Sequence, residues 1–105
     1  MRGDVYRLRA PRDAVGHEQR GPRYGVVLQS DDLRLSTALV APTSTTAHPY
    51  AFRPTVVVTG VETRLMLDQI RAVDVEKALG ERVGRLTPTE LDDVNRLLRA
   101  VFDVL

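Results

Sequence analysis

Three groups of polar side chains in this chain have types and spacings suited to chemistry. The first is Glu18, Gln19, Arg20 and Arg23, in a stretch that also holds Arg7, Arg9, Arg12 and His17. A guanidinium fork binds phosphate through two parallel hydrogen bonds, and a carboxylate beside it can accept or return a proton. The same residues also suit a plain solvated loop, because exposed ion pairs contribute little. The second group, Thr43-Ser44-Thr45-Thr46 after Pro42, offers hydroxyls that could hold phosphate oxygens or simply make a polar turn. The third, Asp68-Gln69-Ile70-Arg71, sets three polar residues inside an otherwise apolar run, where an ion pair would satisfy Asp68. No Ser/His/Asp set, HExxH or GxxxxGK[ST] pattern occurs.

The elements that must position these groups are mostly strands. Asp4 to Arg9 alternates with a period of two, which predicts a strand with Tyr6 and Leu8 on its buried face. Ala10 to Arg23 is rich in Arg, Pro and Gly and lacks periodicity, so it is expected as a long loop of the kind that carries function. Tyr24 to Gln29 and Leu35 to Ala41 are apolar, β-rich runs, and Asp31-Asp32 between them suits a turn. The hydroxyl-rich segment leaves that third strand. A fourth strand is expected over Tyr50 to Val58, interrupted by Pro54, and a fifth over Leu65 to Val73 after a turn at Gly60.

The period then changes. Leu91, Val94, Leu98, Val101 or Phe102, and Leu105 fall on one helical face, and Thr87-Pro88-Thr89-Glu90 is a capping box with Pro at the first helical position. Asp74 to Leu79 suits one helical turn stopping at Gly80. With no repeat or linker between these pieces, residues 1–105 are expected to form one domain, a small and strongly bent antiparallel sheet sharing a core with a terminal helix.

Composition narrows the chemistry. Among 105 residues there is no cysteine and only His17 and His48 as imidazoles, which leaves no thiol nucleophile and no zinc-ribbon ligand set, so neither a metal nor a cofactor is expected. Solvent-exposed, non-catalytic places are expected for both histidines. The 43% hydrophobic and 28% charged content is that of a globular domain, and the start of the chain carries charges without an apolar signal region, so it reads as complete and cytoplasmic. The net charge is only +1, yet residues 1–54 carry eight basic and five acidic side chains against seven and nine in residues 55–105. Arginine supplies all the basic residues but Lys77.

Taken in order, Arg2-Gly3-Asp4-Val5-Tyr6, Glu18-Gln19-Arg20-Gly21-Pro22-Arg23, Val26-Val27-Leu28-Gln29-Ser30, Val40-Ala41-Pro42-Thr43-Ser44, Leu67-Asp68-Gln69-Ile70-Arg71-Ala72-Val73-Asp74 and Gly84-Arg85-Leu86-Thr87 resemble the MazF/PemK family of toxins. The likeness covers nearly the whole chain. It implies a mainly β fold with α (α+β): an SH3-like small β-barrel of about five to seven antiparallel strands with a C-terminal helix. It also implies a ribosome-independent endoribonuclease of a type II toxin–antitoxin pair, a homodimer that cleaves single-stranded RNA and is neutralised by a MazE-like antitoxin. Carried over by position, the catalytic arginine is Arg23, the facing hydroxyl is Ser44, and Glu18 and Gln19 match the family's E-Q pair, with Glu18 the candidate base. Gln19, Arg20, Thr43, Thr45, Gln69 and Arg71 are the RNA-binding candidates. Two positions depart from the family pattern: Tyr24 follows Arg23 where Pro is usual, which makes Arg20 the alternative arginine, and Ser44 stands where Thr is common. A gyrase-inhibiting toxin like the CcdB family is a different use of the same barrel, but that family ends in a tryptophan-containing tail and this chain has no Trp. A catalytically inactive RNA-binding module is a third reading of the fold.

Overall fold

Alternating residues of the first three strands build two separate apolar clusters, one on each side of the sheet. The computed structural model describes residues 1–9 and 23–105. Its strands are β1 (Asp4–Leu8), β2 (Arg23–Val27), β3 (Thr37–Ser44), β4 (Thr55–Val58), β5 (Val61–Leu65), β6 (Arg71–Asp74) and β7 (Leu79–Arg85). The helices are α1 (Val75–Ala78) and α2 (Pro88–Phe102). All pairings are antiparallel, in the order β4-β5-β3-β2-β1-β7, with β6 also on β3. The seven strands and the terminal helix agree with the expected class, a mainly β fold closed by one helix.

The larger cluster lies between the curled sheet and α2. Val5, Val26, Ala41, Val56, Val58, Leu65 and Leu67 meet Leu86, Val94 and Leu97 there. A fully buried Leu or Val of this kind stabilises the fold by about 1.5–3 kcal/mol relative to exposure. On the opposite face Val27, Ala38, Val40, Val73 and Leu79 form the smaller cluster, against which Tyr6 and Leu8 pack half-buried. The inward residue of β1 toward the main core is thus Val5, not Tyr6 or Leu8. Alternation identifies two faces; with apolar matter on both, it does not say which is the deeper.

The expected capping box is present. Thr87 Oγ1 accepts from the Glu90 amide at 3.1 Å and Glu90 Oε1 accepts from the Thr87 amide at 2.8 Å. The second Glu90 oxygen accepts from the Val57 amide, also at 2.8 Å, so the cap tethers α2 to β4. Along α2 the core-facing side chains are Val94 and Leu97, with Leu91, Leu98 and Val101 at the edge. Phe102 and Leu105 are exposed instead of buried, because the helix ends at Asp103 in a left-handed cap with φ of 55°.

The span Leu65 to Val73 is not one strand. It follows one edge of β3, first as β5 opposite Thr43 and Ser44 and later as β6 opposite Thr37 to Val40. A single 3-10 turn, Leu67–Gln69, separates the two. Leu67 is buried in the main core while Asp68 turns outward to Arg53, and the Gln69 amide closes the turn by donating to the Met66 carbonyl at 3.0 Å. β4 likewise begins only after Pro54, whose carbonyl accepts from the Leu65 amide at 2.9 Å. Thr59 and Gly60 join β4 to β5 with φ of 50° and 81°, the left-handed pair that a two-residue hairpin needs. Asp74 caps α1 by accepting from the Lys77 amide, and β7 follows where no strand was expected.

Candidate active site

The start of β2 and the end of β3 lie side by side. Gly25 is opposite Pro42, Val26 opposite Ala41 and Val27 opposite Val40. Beyond Gly25 and Pro42 this ladder stops, and Thr43 and Ser44 pair instead with Leu65 and Arg64 of β5. The Thr43 hydroxyl still reaches back to β2, donating to the Tyr24 carbonyl at 3.3 Å. Arg23 and Ser44 come to one corner, where both line the same groove, although a strand and a turn lie between them in sequence.

A groove of about 420 Å³ opens at this corner, lined by Arg23, Tyr24 and Thr43 to Thr46 and walled on its far side by Val58, Thr59, Val61 and Thr63 of the β4–β5 hairpin. Ser44 Oγ accepts from the Thr46 amide at 3.2 Å and lies 3.3 Å from the Thr46 hydroxyl, so its position is fixed while its proton can turn toward an oxygen in the groove. Arg23 is exposed and makes no ion pair among the described residues. A cation with free donors beside a ladder of hydroxyls is an arrangement for a phosphate, one charged clamp with several neutral donors around it.

Of the residues singled out from sequence, Arg23, Thr43, Ser44 and Thr45 are brought together here. Glu18, Gln19, Arg20 and His17 lie outside the described residues, as does nearly all of the expected loop. Gln69 and Arg71 are exposed but do not line the groove; Arg71 opens β6 opposite Val40. Asp68 accepts two hydrogen bonds from Arg53, at 3.0 Å from Nε and 2.9 Å from the terminal nitrogen. The hydrogen bonds from Arg53 hold this carboxyl below its ordinary range, so the polar interruption of the apolar run is an ion pair. Thr46, of the same hydroxyl-rich segment as Ser44, joins the groove, whereas Thr59 and Thr63 carry no signal of it in the sequence. The Thr-Gly pair does mark the hairpin, but only its folding over the end of β3 places those hydroxyls in the wall.

A second, larger depression of about 570 Å³ sits beside the β2–β3 turn, lined by Met1, Leu33, Leu35 and Val75 among others. It too holds a cation and hydroxyls, Arg34 with Ser30 and Thr37, but sets the Asp31 carboxylate beside them. Among the described residues no group of three or more His, Cys, Asp or Glu could hold a metal ion, and no helix is long and apolar enough to cross a membrane.

Residues 1–102 match the family described as PemK-like, MazF-like toxin of type II toxin-antitoxin system. A Mycobacterium tuberculosis protein provisionally described as a toxin is 40% identical over 94 residues, which is 90% of this chain and 89% of that protein. Among solved structures, an endoribonuclease in complex with its cognate antitoxin from mycobacterial species superposes with a TM-score of 0.79 at 15% identity, covering 100% of this chain and 96% of that one. MazF from Deinococcus radiodurans gives 0.77 at 23% identity, covering 98% and 96%. The M. tuberculosis toxin MazF-mt6 gives 0.77 at 16%, covering 97% and 98%. These three likenesses establish the shared fold.

Proposed function

Since the chain belongs to the PemK-like, MazF-like toxin family of type II toxin–antitoxin systems, we propose that it is an endoribonuclease that cuts single-stranded RNA in the groove between Arg23 and the β4–β5 hairpin. The observation that carries this reading is the lining of one groove by Arg23 of β2 and Ser44 of β3, a cation and a hydroxyl brought together from adjacent strands. Solved structures of similar fold that are endoribonucleases from mycobacterial species support it.

RNA brings its own nucleophile. Attack of the 2′-OH on the adjacent phosphorus breaks the bond to the 5′-oxygen, which takes up a proton from water; the step needs alignment, removal of the 2′-OH proton and stabilisation of the charge on the phosphorane. Arg23 supplies that stabilisation through its fork, and such preorganised donors are often the largest single catalytic contribution. A guanidinium keeps its protons too firmly to serve as an efficient proton donor, so its part is electrostatic. Ser44 orients the scissile phosphate, with Thr43 and Thr45 as adjoining contacts, and Glu18 is the base in this scheme. The products are a 2′,3′-cyclic phosphate, or the 3′-phosphate from its hydrolysis, and a 5′-hydroxyl. No metal takes part. Gln69 and Arg71 receive no role in the groove.

The same reading includes a symmetric homodimer and a cognate MazE-like antitoxin, in keeping with the solved relatives described in complex with antitoxin. The test is to incubate purified protein with a long unstructured RNA in excess EDTA and to map cut positions and end groups. Cleavage with cyclic or 3′-phosphate ends is expected. Activity abolished by EDTA and restored by a divalent ion would sink the metal-free scheme, and no cleavage under any condition would sink the nuclease reading.

A further inference from the structure

We propose that the segment from His48 to Arg53 is a base-stacking platform for single-stranded RNA, a recognition subsite beside the catalytic groove; the inference rests on the endoribonuclease reading. The Tyr50 and Phe52 rings stack with centroids 5.0 Å apart at 19°, and His48 leans on Tyr50 at 4.4 Å and 54°. The Arg53 guanidinium lies 4.9 Å from the Tyr50 centroid and 5.8 Å from that of Phe52. That guanidinium is held in place by the two hydrogen bonds to Asp68 and by a third, at 3.3 Å, to the His48 carbonyl. Aromatic rings gathered this way are normally core, yet His48, Tyr50 and Phe52 belong to neither apolar cluster, and Tyr50 keeps 47% of its surface exposed. The molecule thus holds three rings and a guanidinium together, with Tyr50 at the centre, in contact with solvent.

Its place in the chain ties it to the groove. The segment starts two residues beyond Thr46, which lines the groove, and returns through Pro54, whose carbonyl is bound by the Leu65 amide. Arg64 donates to the Arg53 carbonyl at 3.1 Å and is itself directly opposite Ser44. His48 follows Ser44 by four residues, so their Cα atoms are at most about 14 Å apart. An RNA strand with its scissile phosphate at Arg23 and Ser44 can lay a base on Tyr50 only a few nucleotides away. Every base has a π-face, so such a platform takes bases of any identity and adds affinity without reading hydrogen bonds.

That tolerance makes a test possible without a known recognition sequence. The probe is a fluorescent, 2′-O-methylated RNA of about a dozen nucleotides and random sequence, which binds without being cut. Loss of a stacked base weakens binding about ten- to hundred-fold, so Tyr50→Ala should show a loss in that range while Tyr50→Phe retains wild-type affinity. Because no phosphate contact is removed, the salt slope of Tyr50→Ala should equal that of the wild type. The exposed position predicts an unchanged melting temperature, and this is measured alongside. Wild-type affinity in Tyr50→Ala overturns the platform, as does a weakened affinity with a shallower salt slope. The nuclease reading fails differently, by absence of cleavage and of probe binding in the wild type itself.

Discussion

Arg23 begins β2 and its residue is exposed, so removing the guanidinium takes nothing from either apolar cluster. Arg23→Ala should therefore lower RNA cleavage by about 10²–10³-fold, the loss typical of one preorganised donor to a developing oxyanion. Its unfolding free energy should stay within about 0.5 kcal/mol of the wild type, as for other surface substitutions. Ser44→Ala removes one hydroxyl from a ladder of several and should cost less, about ten-fold, while Ser44→Thr should keep most activity. Cleavage assays with urea melts in parallel check both. If Arg23→Ala cleaves normally and Arg20→Ala does not, the phosphate-binding arginine is Arg20. The Arg23–Ser44 pairing was visible in sequence only through the order of motifs; composition alone fits a solvated loop and a polar turn equally well. Thr59 and Thr63 left no such trace, because they reach the groove through the packing of a hairpin rather than through a motif.

At the scale of elements, the junction of β1, β2 and β3 depends on one missing methyl. A Cβ on Gly25 would meet Val40 Cγ1 at 2.5 Å and the two Leu8 methyls at 3.1 and 3.2 Å. Both neighbours are packed, Val40 within the smaller cluster and Leu8 against it, so neither can yield freely. Gly25→Ala should destabilise the protein by about 1–3 kcal/mol, the usual cost of overpacking. Gly84→Ala, where no atom lies within 4 Å of the added carbon, should change stability by less than about 0.5 kcal/mol. Urea midpoints of the two variants make the comparison, and an equal loss in both would show that backbone freedom rather than contact with Val40 decides. Gly25 also sits between Arg23 and Val27, so this packing sets the strand that presents Arg23 to the groove. The start of α2 was legible because a capping box is written within four consecutive residues. β7 was not: Leu79 to Arg85 carries Gly80 and Gly84 with Glu81, Arg82 and Arg85, shows no alternation, and becomes a strand because it completes β1. The break between β5 and β6 was hidden for a related reason. The turn presents Asp68 to Arg53, which lies on a different segment and leaves no local mark in the Leu65 to Val73 run.

For the whole molecule, the carboxylates that tie distant segments together set the response to acid. Asp4 is nearly buried and gathers Arg85 at 2.9 Å, Arg82 at 3.2 Å and the Met1 ammonium at 3.6 Å, joining the first strand to β7. Burial pushes its carboxyl upward, but hydrogen bonds from Arg85 and Arg82 and the nearby ammonium outweigh that, leaving it below the ordinary value of 3.8. Asp68 is held low by Arg53, and Asp31 by the Arg2 amide and the same ammonium, although Asp31 is open to solvent and well screened. A carboxyl that binds its proton less tightly when folded favours the folded state wherever it is ionised. That contribution is complete above about pH 5 and is lost as the pH falls through the ordinary and then the lowered folded value. Stability should therefore hold from neutrality to about pH 5 and then decline, with Asp4 and Asp68 dominating the fall. Asp4→Asn separates this from general charge repulsion. Two guanidiniums lose their carboxylate, so the variant should be less stable than the wild type at pH 7. Having no proton to take up at this position, it should lose less on acidification, and the two curves of urea midpoint against pH should approach one another toward pH 2. Curves that stayed parallel down to pH 2 would place the acid sensitivity elsewhere, with the Arg53–Asp68 pair the next to remove.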